Sequence, residues 1–344
     1  MHLTLVVAGL LDIPESVLAD ADAGAPALTR LLTAAEPPSV DREGAIGVTC
    51  TALGIAKQRD WPVAPWLAHG AGIEATARYW LCAEPATFEV GRGDVRLSDI
   101  VHDLAASETT ALLSSLNAHF SSDGIRFEAP DAVHWLVGAE APQSLSTLPP
   151  ERALGRALLG HLPEGPDAGR WRAWHNEIQM LFFEHPVNVA REAAGRAVVN
   201  SVWLWGGGAA VAERTRARIA ALYANAWRWR ELARATNVAS ARVPASFDAL
   251  HDPSSPSPAL VWLDPRTAAE PQQRGSWFVA LDRDWAAPAR RALHSGTIGQ
   301  LDIVVAGRST ALRFAARRPS LARRLRTWRS PPRLSTLLAP YLEG

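Results

Sequence analysis

Residues 176–208, NEIQMLFFEHPVNVAREAAGRAVVNSVWLWGGG, decide how this chain is read. Ile178 to Phe183 have helical spacing, and Pro186 cannot continue that helix without losing a backbone bond, so the helix is expected to end near His185. A short basic turn through Asn188 and Arg191 follows. Asn200 and Ser201 then open the run Val202-Trp203-Leu204-Trp205, strand-like in its β-branched and aromatic content, which passes into a glycine loop at Gly206–Gly208. A strand that ends in glycine at a sheet edge is where α/β proteins place ligands, although glycines after a strand also simply make turns.

The flanking sequence alternates in the same way. Leu3 to Ala8 reads as a buried first strand and not as a leader, since no basic residue precedes it and Asp12 follows early. A helix is expected over 26–34, a loop with one helical turn over 61–67, and a strand over 79–82. Ser107 opens a helix carrying Leu112, Leu113, Leu116 and Phe120, and strands are expected at 124–127 and 133–137. Downstream lie a strand at 200–205, a helix at 209–224, strands at 259–263 and 301–305, and a helix at 285–294. This alternation predicts an α/β fold with a mostly parallel sheet covered by helices on both faces, and with a small α+β insertion. The expected divisions are 1–84 for the first part of the core, 85–140 for the insertion, 141–174 for a linker and helix, and 175–344 for the second part with a basic tail.

Composition narrows the function classes. With 344 residues, 48% of them hydrophobic, the chain has ample core, and equal numbers of acidic and basic residues give no global attraction to nucleic acid or anionic lipid. Two cysteines, Cys50 and Cys82, are too few for a disulfide framework, and no apolar run approaches the length of a membrane span. A cytoplasmic protein is the expectation.

The His185-Pro-Val-Asn188-x-x-Arg191 element followed by Asn200-Ser-Val-Trp-Leu-Trp205-Gly206 resembles the cofactor-independent phosphoglycerate mutases of the archaeal type, within the alkaline-phosphatase-like superfamily. More closely it resembles the RpfE-type regulatory proteins of that group. The resemblance implies two divalent metals, such as manganese, held by Asp and His clusters, and a serine that takes the phosphoryl group. Two metals suit phosphoryl transfer because they clamp the attacking and leaving oxygens.

Four places test that implication. The family's first strand ends in Asp-Gly-x-Gly-Asp, whereas here Ala8-Gly9-Leu10-Leu11-Asp12 keeps only the second acid. The nucleophile segment Gly-Ser-Asp falls on Gly44-Ala45-Ile46, with Thr49, Cys50 and Thr51 nearby as substitutes. The segment Asp-x-x-x-His should follow Leu260, yet no histidine occurs between Asp252 and Leu293. The last strand should deliver Asp-His-Ser-Thr, and the chain reads Gly307-Arg308-Ser309-Thr310.

The degenerate positions are therefore Ala8, Ala45 and Gly307. No metal and no catalytic residue is assigned. Ligand contacts are expected from Asp12, His185, Asn188, Arg191, Asn200, Trp205, Gly206 and Arg308, with Arg191, Arg308 and the glycine loop suited to a small anion. For His185 the role of satisfying a helix end is preferred to ligand contact, and Arg308 is equally readable as a solvated loop residue. The reading is a non-catalytic mutase-like protein that binds a small anionic ligand or a regulatory protein partner. The alternatives are an active mutase or phosphohydrolase with relocated ligands, and a polyanion-binding protein acting through the arginines between Arg308 and Arg333.

Overall fold

The computed structural model describes residues 2–73, 77–91, 94–209, 211, 216–250, 256–264, 274–318 and 332–342. Along the chain come β1 (His2–Ala8), α1 (Glu15–Gly24), α2 (Pro26–Ala34), β2 (Ser39–Asp41), α3 (Gly44–Ala52) and α4 (Val63–Gly70). Next are β3 (Tyr79–Val90), β4 (Val95–Ile100), α5 (Ala106–His119), β5 (Ile125–Glu128), β6 (Leu136–Ala139), α6 (Pro150–Ala153), α7 (Ala168–Phe183) and α8 (Pro186–Ala193). The chain continues with β7 (Ser201–Ala209), β8 (Ala221–Tyr223), α9 (Trp227–Ala235), β9 (Ala239–Ala241), α10 (Phe247–Leu250) and β10 (Ala259–Leu263). It closes with α11 (Arg274–Leu281), α12 (Ala287–Ser295), β11 (Gln300–Ala306), β12 (Ala311–Arg317) and α13 (Leu334–Leu338). Among the described residues, no helix is long and apolar enough to cross a membrane.

Two compact units result, one of residues 1–54 and 216–344, the other of residues 55–215. The first holds a seven-stranded sheet in the order β2-β12-β11-β1-β10-β8-β9. β1 pairs in parallel with both β10 and β11, and β10 with β8, while β12 and β2 run antiparallel at one edge. The expected α/β class with a mostly parallel sheet is therefore present. Alternate residues of β1 divide between its faces, as the two-residue period of a strand requires. Leu3, Leu5 and Val7 join Val261, Ile303, Phe278 and Trp285 in one core, whereas Trp262 packs on Trp229 of α9. Helices thus cover both faces. Each of these fully buried side chains contributes about 1.5–3 kcal/mol.

The second unit is an antiparallel sheet, β4-β3-β6-β5, with β7 paired to the other edge of β3. The inserted unit is thus wider than the expected 85–140. The strand expected at 200–205 belongs to it, not to the parallel sheet, because Ser201 to Ala209 pair with Tyr79 to Ala86. The described residues of 209–224 form no helix, Ala221–Tyr223 being the strand β8, and residues 61–67 lie in or beside the full helix α4.

Residues 142–166 are not a free linker. Buried Asp60 accepts hydrogen bonds from Thr147 N (2.8 Å), Thr147 Oγ1 (2.5 Å) and Ser146 Oγ (3.3 Å), and Trp203 Nε1 donates to Leu148 O at 2.8 Å. The three glycines are strand, not loop. Gly206 has φ of 66°, and a Cβ on Gly208 would stand 2.5 Å from Pro62 Cβ, so the chain needs glycine here for close approach.

His175 on α7 is buried beside Ser201 Oγ (3.2 Å) and stacked on Phe88 with ring centroids 5.1 Å apart. Burial depresses its imidazole from 6.5 to about 4. Unfolding therefore takes up a proton below pH 6.5, so the stability carried by neutral His175 is complete above that pH and is lost as pH falls towards 4. Chemical denaturation is expected to show about 3 kcal/mol less stability at pH 4 than at pH 7 from this group. His175→Gln should flatten that part of the profile and leave the smaller, same-signed contribution of His185, whose pKa burial also lowers.

Candidate functional site

The carboxyl end of the parallel sheet in the first unit gathers the positions singled out in the sequence. Ala8 and Ala306 are register partners at the ends of β1 and β11. After β1, Gly9 takes a left-handed φ of 73° and starts a single turn, Leu10–Asp12. Asp12 Oδ1 accepts the backbone N–H of Arg308 at 2.9 Å, with Arg308 Nε at 4.0 Å from the same oxygen. Between β11 and β12 a four-residue turn is closed by Gly307 N donating to Thr310 O at 2.7 Å. At the start of α3, Gly44 (φ 63°) lies so near that a Cβ would stand 3.2 Å from Gly307 O and 3.1 Å from Arg308 O. Ala8, the Gly44–Ala45 step and Gly307 thus meet at one edge.

What that edge offers chemically is a carboxylate, a guanidinium and backbone. The Arg308 side chain is 31% exposed and its terminal nitrogens have no partner among the described residues. Thr49 and Cys50 do not supply a nucleophile. Both are fully buried, Thr49 Oγ1 donates to Ala45 O at 3.0 Å, and burial pushes the Cys50 thiol far above its usual range. Among the described residues, no three His, Cys, Asp or Glu side chains are grouped to hold a metal ion. Residues 265–273, where the family's Asp-x-x-x-His segment would fall, lie outside the described residues, as does the basic stretch 319–331 with Arg323, Arg324, Arg326 and Arg329.

The remaining sequence candidates lie in the second unit, where their polar atoms are engaged by its own backbone and side chains. His185 caps α8, its Nδ1 accepting Val187 N at 3.2 Å while Nε2 meets Ser115 Oγ at 3.1 Å. The helix end that His185 satisfies is the start of α8. Asn188 Nδ2 donates to Phe182 O and Val199 O (2.8 and 2.7 Å), and its Oδ1 accepts Val199 N at 2.9 Å. Asn200 grips Phe88 in the same two-handed way, at 2.7 and 2.8 Å. Trp205 Nε1 donates to Glu84 Oε1 at 3.0 Å, and Gly206 sits inside β7.

Arg191 corrects the sequence reading most clearly. Only 1% exposed, it donates to Ala197 O (2.6 Å), Glu108 Oε2 (3.1 Å) and Asp103 Oδ1 (2.5 Å), so all three of its nitrogens carry protein partners. It braces the unit and offers no fork to an anion. Its guanidinium holds the Asp103 carboxyl below the usual range. Arg191→Ala should cost about 3 kcal/mol in denaturant unfolding, because a buried charge network loses its centre.

No protein-family model matches the chain. Its curated relatives are phosphoglycerate mutases. Over 153 residues it is 28% identical to the probable 2,3-bisphosphoglycerate-independent phosphoglycerate mutase of Geobacter sulfurreducens, covering 39% of this chain and 38% of the relative. Over 107 residues it is 27% identical to the 2,3-bisphosphoglycerate-independent enzyme of Methanosarcina mazei, covering 30% and 27%. A shorter stretch of 62 residues is 39% identical to that of Methanothrix thermoacetophila, covering 18% and 16%. These matches span 38% or less of each relative's own length. Among solved structures, a cofactor-independent phosphoglycerate mutase from Thermoplasma acidophilum is similar with a TM-score of 0.47 and 17% identity, over 92% of this chain and 89% of that one. The PH0037 protein from Pyrococcus horikoshii has the same TM-score at 12% identity, over 92% and 87%. The chain thus has homologues named cofactor-independent phosphoglycerate mutase, in keeping with the resemblance carried by residues 176–208.

Proposed function

We infer that this is a mutase-like protein without two-metal chemistry, which uses the carboxyl end of its parallel sheet to hold a small anionic ligand in a regulatory role. The observation that carries the reading is the meeting of Ala8, Gly44–Ala45 and Gly307 at the edge where the resemblance places metal ligands and the nucleophile. In their stead stands one cation, Arg308, rooted by Asp12 through its backbone N–H. A guanidinium fork suits a carboxylate or phosphate without needing a metal. The regulatory part rests on the resemblance to the RpfE-type proteins.

The test is direct. Purified protein supplied with manganese should show no interconversion of 2- and 3-phosphoglycerate, and metal analysis should find no stoichiometric pair of ions. Either turnover or two bound ions per chain would overturn the reading. Calorimetry with 3-phosphoglycerate should show binding that Arg308→Ala weakens roughly tenfold or more, the loss of one charge-assisted contact.

A further inference from the structure

The start of α9 is basic. Ala226 stands at its N-cap with no side-chain hydrogen bond, and the first turn contains no acid. It contains Arg228 instead, with Arg230 directly after Trp229. Cations at a helix amino terminus work against the helix dipole, which favours negative charge there. Arg230 Nη1 donates to Ala224 O (2.9 Å) and Asn225 O (2.5 Å), which fixes the turn between β8 and α9. The Arg228 guanidinium carbon lies 5.8 Å from the Trp229 ring centroid.

A second, independent observation concerns Trp262. By register β10 places it level with Ala224, one step past the Val261↔Tyr223 pair. Its ring lies against the first turn of α9, centroid to centroid 4.5 Å from Trp229. Trp262 is 5% exposed, and its Nε1–H has no acceptor among the described residues. A buried indole N–H is ordinarily paired, so an orphan calls for a partner. Donors and positive charge have collected at the carboxyl ends of β8 and β10, the end of an α/β sheet where ligands bind.

We propose that this corner binds an oxyanion, the phosphate or carboxylate group of a small ligand, between Trp262 Nε1 and the first turn of α9. It is separate from the Arg308 edge, because β10, which carries Trp262, and β11, which leads to Arg308, are two strand spacings apart, about 10 Å.

The test uses the full chain carrying Arg308→Ala, so that phosphate bound at the other edge does not contribute and the function proposed for Arg308 stands or falls separately. Tryptophan is labelled with nitrogen-15, and the Trp262 indole resonance is assigned by its loss in Trp262→Phe. Titration with inorganic phosphate, and separately with acetate, should move that resonance downfield to a plateau for at least one of the two. Trp262→Phe, which keeps a ring and removes the donor, should weaken binding of that anion roughly tenfold by calorimetry. Arg228→Gln should weaken it as well and supplies the comparison if the first variant folds poorly. An indole resonance that both anions leave in place, or an affinity unchanged in the folded variants, overturns the proposal.

Discussion

The parallel pairing of β1 with β10 on one side and β11 on the other is the constraint on which the first unit depends. Leu3 faces Ala259 across one ladder and Leu301 across the other, so the sheet closes only when distant parts of the chain meet. Such non-local pairing is entropically costly until the apolar faces of the strands are covered, which explains their near-continuous Val, Leu and Ile content. Once formed, the ladder leaves little choice about where the turn after each strand begins. Ala8 and Ala306 finish side by side, and Asp12 and Arg308 come into hydrogen-bonding range as a consequence.

The second unit solves a different problem. β7 is apolar on both faces, and it is positioned by polar side chains that spend their hydrogen bonds on backbone. Asn188 ties Val199 to the end of α7, Asn200 ties the root of β7 to Phe88, and buried Arg191 draws together Asp103, Glu108 and Ala197. A buried guanidinium is stable only when such partners surround it. The element that makes the family resemblance specific is thus a joint. Its residue types are demanding because each one satisfies several backbone groups at once.

Much of this was legible in the sequence because local chemistry dictated it. The apolar run 259–263 and the proline-opened helix 26–34 lie where their patterns place them, and Pro186 divides two helices near His185 as its missing N–H requires. Pairing partners were not legible. Nothing within Val202 to Trp205 distinguishes a central parallel strand from an antiparallel one, and the choice is made by Tyr79 to Ala86, more than a hundred residues away. The triple glycine misled for a related reason, since the close approach of Pro62 that demands it is a tertiary fact. Asp60 docking Ser146 and Thr147 turned a proline-rich stretch, which looks like linker, into packed structure. At the candidate site the missing acids and serine were plain in the sequence. The role of Trp262 was not, because an orphan donor exists only relative to its surroundings.

The root of Arg308 has one more consequence. A metal-dependent site is occupied to the extent that free ion is available, and chelators or competing ions change what it binds. A guanidinium held in the chain is present in every molecule. An anion that relies on Arg308 would therefore be held to a degree set by its own concentration and by ionic strength, indifferent to the supply of manganese. Under the proposed function, such a site would separate the level of a metabolite from the metal status of the cell.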